Sequence, residues 1–184
     1  MSLAAGLPGL APFPLRSAAL GGRFEGGFDE TRADVLTSIR SMNRRDAGAV
    51  AVLSGQLGYP STAADIERRF RTIEGATDSQ AWVAEVEPGT IIGWLQVSDT
   101  RHLESDSVAE VVGLVVADGQ RGKGVGRALM AAAEQWANGR GHNEVIVRSN
   151  VVRGDAHEFY KRLGYAIVKS QYKFRKKLPL EVNS

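Results

Sequence analysis

Apolar positions along the chain switch between two periods, and the switching marks out a mixed fold. Residues 35–42 carry the β-branched content of a strand. After a bend at 43–46, with Asp46 placed as N-cap, Ala47, Val50, Leu53 and Leu57 recur at helical spacing. Gly58 ends that helix and Pro60 blocks its continuation. Thr62 and Asp65 have capping-box spacing at the start of a second helix, whose apolar face is Ile66, Phe70 and Ile73, with Gly75 as its stop. Residues 82–86 and 91–97 read as strands joined by a Pro88-Gly89 turn, which makes a hairpin. A polar loop at 99–107 leads to Val108–Val116, the most hydrophobic strand and the expected sheet centre. Gly113 inside it marks a bulge or a close approach of backbone.

Residues 122–140 form a helix with Val125, Leu129, Ala132, Ala133 and Trp136 on one face and Gly141 beyond its end. The strand at 144–148 is reached through a helical crossover, so it lies parallel to its neighbour. Asp155 and Glu158 open a last helix with the stripe Ala156, Phe159, Tyr160 and Leu163, closed by Gly164. Residues 165–168 and 171–178 read as two final strands. The order is β-α-α-β-β-β-α-β-α-β-β, an α/β (α+β) fold in one domain over residues 34–184.

The first 33 residues differ. They are rich in Ala, Gly, Leu and Pro, and Met1 to Phe24 include no acid. Pro8, Pro12 and Pro14 interrupt any apolar core of a secretory signal, so residues 1–33 are read as a flexible extension outside the fold. A chain of 184 residues with 43% hydrophobic positions is long enough to bury a core. With no cysteine, thiolate metal sites and a Cys nucleophile are excluded, and the three histidines match no metal motif. No metal is expected. The net charge of +2 demands no nucleic acid, and no stretch has the length to span a bilayer, so a cytoplasmic protein is expected.

Chemistry concentrates after the central strand. Gly122, Gly124 and Gly126 alternate through RGKGVG at a helix start, with Arg121, Lys123 and Arg127 around them. Free amides at a helix N-terminus favour an anion such as a pyrophosphate. A P-loop is excluded, because Val125-Gly126 stands where Lys-Ser/Thr is needed. A dinucleotide fingerprint is excluded too: the spacing is G-x-G-x-G, and Val147-Arg148-Ser149 offers no acid after the next strand.

The segment 121–126 has the form R/Q-x-x-G-x-G/A. Downstream, Phe159-Tyr160-Lys161-Arg162-Leu163-Gly164-Tyr165 has the form F-Y-x-x-x-G-[FY], preceded by NVVRGDAH at 150–157. Together these resemble the GNAT superfamily of acyl-CoA-dependent N-acetyltransferases, over roughly residues 34–178. The resemblance implies a mostly antiparallel sheet with a splayed central strand pair, flanked by about four helices. It implies acetyl-CoA as co-substrate, with Leu114, Val115 and Val116 along the pantetheine arm. Arg121, Gly122, Lys123, Gly124, Val125, Gly126 and Arg127 would hold the pyrophosphate, mostly through main chain, and Asn150 would touch the amide arm. It also implies an acetyl transfer to a primary amine with no enzyme nucleophile. Glu110 on the central strand is then the candidate base, and Tyr160 the candidate acid toward the thioester sulfur. The acceptor would be an amine on a small molecule or a protein, and Glu104, Asp106, His102 and Tyr59 are secondary candidates for meeting it. A non-catalytic acyl-CoA-binding sensor is the alternative. A homodimer through the early helices or the last strands is compatible with the chain.

Overall fold

A computed structural model describes residues 37–178. The extension expected over residues 1–33 lies outside the described residues. The elements are β1 (Ser38–Ser41), α1 (Ala47–Gln56), α2 (Ala63–Phe70), β2 (Ser79–Glu87), β3 (Thr90–Thr100), β4 (Val108–Val116), α3 (Val125–Gly139), β5 (Val145–Val147) and α4 (Gly154–Arg162). They build one sheet in the order β1-β2-β3-β4-β5. All neighbours pair antiparallel except β4 and β5, which are parallel across the α3 crossover. The mixed, mostly antiparallel sheet with four helices matches the expectation.

Two layers cover the sheet. Leu129, Met130, Ala133 and Ala137 of α3 meet Ala84, Leu95, Val97, Ala109 and Val111, all buried. Val83, Trp94 and Val115 stand opposite one another on the other face of the sheet. There α1 packs on β3 and β4 with Val50 and Leu53 buried. Glu110, paired with Ser98, lies on this second face by the same alternation.

Gly113 makes a close approach. A Cβ there would come within 2.6 Å of the Trp94 ring, so the missing side chain lets the indole lie against β4. A bulge accompanies it, since the register slips between Gln96 and Val97 and leaves Val112 without an opposite residue on β3.

Three local expectations are corrected. Asp46 stands at the N-cap position of α1, but its side chain makes no cap bond to that helix. Asn43 caps a short 3-10 turn ahead of it: Arg45 N–H donates to Asn43 Oδ1 at 2.9 Å, and Asn43 N–H donates to the Asp46 carboxylate at 2.8 Å. Asp46 is thereby free to take both terminal nitrogens of Arg40, each at 2.8 Å. Asp155 makes no side-chain cap either, because α4 starts one residue before it, at Gly154. The strands expected at 165–168 and 171–178 are not formed. Ile167, Val168, Tyr172, Phe174 and Leu178 are exposed. Alternating pattern gives a segment the faces of a strand, but only a partner edge satisfies its amides, and among the described residues none pairs with it.

Candidate active site

The Gly-rich turn sits where β4 hands over to α3. Gly122 and Gly124 have φ of +78° and +86°, a backbone that residues with a Cβ adopt only under strain. The first backbone bond of α3 is Ala128 N–H to the Gly124 carbonyl at 3.0 Å. Among the described residues, no backbone carbonyl accepts from the amides of Arg121 through Arg127. These are the orphan donors of a helix start, where the macrodipole adds positive potential. The side chains around them behave differently. Val125 is buried in the α3 core and can offer only its main chain. Arg121 folds back, donating from Nε to the Val116 carbonyl at 3.4 Å and pairing with Asp118 at 2.9 Å. Lys123 donates to Gln120 at 3.1 Å. Gly126 has a packing role: a Cβ there would stand 3.1 Å from the Phe159 ring, so this glycine seats α4 against the start of α3.

The central strands part as expected for a splayed pair. β4 and β5 are paired only from Ala109 to Val111 and from Val145 to Val147. Beyond Val111, the edge of β4 that faces β5 has no strand partner among the described residues, and Leu114, Val115 and Val116 lie on this open stretch. Close to the end of β5, the hydroxyl of Ser149 is buried without a hydrogen-bond partner. A buried orphan of this kind calls for a ligand or a water. Asn150 uses Oδ1 to accept from Val152 N–H at 3.2 Å, which leaves its amide NH2 available. Unpaired strand edge, orphaned hydroxyl and free turn amides together fit a long ligand with amide groups and a phosphate end.

Glu110 is buried, with 7% of its surface exposed. Thr100 donates to its Oε2 at 3.2 Å, and Arg148 Nε lies 3.3 Å from Oε1. Arg148 follows β5 directly and is itself well exposed. Tyr160 lies on α4 with its ring edge-on to Phe159 and Tyr165, at centroid distances of 5.2 and 6.0 Å. Burial pushes its phenol above the ordinary value, and Arg153 only partly counters this, so the hydroxyl is a proton donor across the neutral range. Glu110 and Tyr160 make no ion pair or hydrogen bond with each other.

The secondary candidates stand apart. Tyr59 is exposed, and His102 is 3.9 Å from the exposed Glu104. His157 contacts the Asn150 carbonyl at 3.0 Å and braces the turn before α4. Sequence reasoning missed Arg148 and Ser149, seeing Arg148 only as the absence of an acid. The usable signal was position: both residues directly follow the strand that runs parallel to the one bearing Glu110.

Comparison with known proteins agrees with this geometry. A family model described as Acetyltransferase (GNAT) family matches residues 50–165. An aminoalkylphosphonate N-acetyltransferase of Salmonella typhimurium is 34% identical over 91 residues, 49% of this chain; the chain spans only 58% of that protein's length. An aminoglycoside N(6')-acetyltransferase type 1 of Stenotrophomonas maltophilia is 30% identical over 150 residues, 78% of this chain and 94% of the relative. Among solved structures, AAC(6')-Iy in complex with a bisubstrate analogue, CoA-S-monomethyl-acetylneamine, superposes with a TM-score of 0.67 over 78% of this chain and 99% of that one. At 22% identity, that likeness speaks for the fold alone. With its strand parting, its Gly-rich helix start and a family match over most of the described residues, the chain belongs to the acetyltransferase (GNAT) family, whose members take their acetyl group from acetyl-CoA.

Proposed function

We propose that this protein moves an acetyl group from acetyl-CoA to a primary amine on a small molecule, by direct transfer. The observation that carries the proposal is the buried Glu110 on the same strand as the open edge at Leu114–Val116, facing the layer opposite α3. The relatives support the acceptor class, since their names specify an aminoalkylphosphonate and an aminoglycoside as acceptors.

Bound acetyl-CoA supplies an activated acetyl thioester. The amides of Gly122 to Arg127 would hold its pyrophosphate, and Leu114, Val115, Val116, Ser149 and Asn150 would line its amide arm. An acceptor amine arrives as an ammonium and must lose a proton before it can attack. Glu110 takes that proton. Leu114 is four residues further on, at most about 13 Å along an extended strand, so the proton travels through water. The amine nitrogen bonds to the acetyl carbon, the carbon–sulfur bond breaks, and the departing thiolate receives the Tyr160 proton. Main-chain N–H groups near Leu114 and Val115 polarise the carbonyl oxygen.

A panel of amines assayed for thiol release tests this. Wild-type protein releases CoA thiol with at least one small primary amine. Glu110→Gln and Tyr160→Phe each lower kcat by roughly 10²-fold or more while acetyl-CoA still binds. Tight acetyl-CoA binding with no amine acetylated would instead mark a sensor module.

A further inference from the structure

The neighbour of the proposed base points to the kind of amine it meets. Arg148 sits on the same face as Glu110: Ile146 pairs with Glu110, and Arg148 is two residues on. Val147 pairs with Val111, so Arg148 stands one step past the end of the ladder, where β4 and β5 part. That places it between Glu110 and the open edge at Leu114. Its contact with Glu110 uses Nε, at 3.3 Å. Its two terminal nitrogens make no hydrogen bond among the described residues, and its side chain is 64% exposed. Two other arginines near the site are engaged. Arg153 donates to the Leu57 carbonyl at 2.7 Å, and Arg121 is folded onto Asp118 and Val116.

An exposed guanidinium beside the parting of β4 and β5, with no hydrogen bond from its fork, suits a planar or tetrahedral oxyanion, which it binds through two parallel hydrogen bonds. Resting on the assignment of Glu110 as base, we infer that the acceptor is an amine that also carries an anionic group, a carboxylate or phosphonate, and that Arg148 is the residue that selects it. The anion draws Arg148 toward itself. The acceptor's amine is thereby aimed at the open edge of β4, and Glu110 is released from its ion pair to take the ammonium proton. A cationic group on the acceptor would meet Arg148 as a like charge. The selection is therefore both attractive and repulsive.

The experiment compares four short amines with the full chain and acetyl-CoA: β-alanine, 2-aminoethylphosphonate, β-alaninamide, whose amide end carries no charge, and 1,3-diaminopropane. The first two have kcat/KM about tenfold or more above β-alaninamide, mainly through KM, as a charge-assisted bidentate pair provides. Arg148→Gln brings that ratio to within about twofold, and Arg148→Lys, which keeps the charge without the fork, holds an intermediate ratio. Two arms distinguish carboxylate from phosphonate, and either one preferred over β-alaninamide supports the inference. It is overturned if β-alaninamide or 1,3-diaminopropane is the best substrate, or if Arg148→Gln leaves the ratio as it was. No thiol release with any of the four, with acetyl-CoA bound, would overturn the acetyl-transfer assignment itself.

Discussion

Single residues set the limits of the site. Tyr160 is held protonated by burial, above its ordinary pKa of 10.0. A group with a raised pKa keeps its proton below that value, so whatever rate Tyr160 supports is lost only as pH rises past it. A kcat profile of wild type should therefore show no decline traceable to Tyr160 below about pH 10, and Tyr160→Phe should lack any limb above it. Gly113 is a second limit. Gly113→Val would drive a side chain into the Trp94 ring, 2.6 Å from the Cβ position, and should lower unfolding free energy by about 2–3 kcal/mol in denaturant titrations. Gly126→Ala faces a milder contact, 3.1 Å from an edge atom of Phe159, and should lower it by about 1 kcal/mol.

Elements show which parts of the fold could be read in advance. The succession of β4, Gly-rich turn and α3 is encoded locally, in an apolar run, glycines at positive φ and an amphipathic stripe. The bounds of β4 and the parallel placement of β5 follow without knowledge of the rest, whereas α3 starts at Val125, three residues later than expected, because the glycines at 122 and 124 take positive φ instead of opening the helix. The Thr62–Asp65 capping box of α2 is local too, and it is present as expected. What could not be read depends on partners distant in sequence. Residues 165–178 have a strand's pattern, but pattern is silent on whether an edge is available. Asp99 and His142 are 43 residues apart and form a buried clasp between the end of β3 and the loop after α3. Burial alone would raise the Asp99 carboxyl, yet Arg140 and His142 overcome it and hold it below the ordinary range. Arg148 became legible only when the register set it beside Glu110. Asp46 holds the N-cap position of α1 without a side-chain cap bond, because its carboxylate is taken by Arg40, which lies on another element, and by Asn43 N–H. Arg40 binds Asp46 and Glu85 together, joining β1, the turn and β2. Arg40→Met strands a buried carboxylate at Asp46 and should destabilise by roughly 3 kcal/mol at neutral pH. Arg40 and the Gly89 N–H hold Glu85 down to about 2 from its ordinary 4.5. A depressed carboxylate stabilises the fold above its unfolded pKa, and that contribution fades as pH falls toward the folded value. The melting-temperature gap between wild type and Arg40→Met should thus narrow between about pH 4.5 and 2.

On the scale of the whole molecule, a sheet with one layer on each face opens along a single seam, between β4 and β5. The α3 layer fixes the Gly-rich turn at one end of that seam, with Leu129 and Met130 buried at its heart. Leu129→Ala should lower stability by about 3 kcal/mol, and it should weaken acetyl-CoA binding only so far as the chain unfolds. The opposite face carries Glu110 and Arg148, and the proposed mechanism has the acceptor approach the seam from that side. No helix among the described residues is long and apolar enough to cross a membrane. Direct transfer across the seam has a simple signature. In a single turnover with acetyl-CoA and a good amine acceptor, mass spectrometry should find one N-acetylated amine per CoA released and the protein at its unmodified mass throughout. An acetyl group on the protein, or acetyl-CoA bound with no acetylated amine formed, would contradict it.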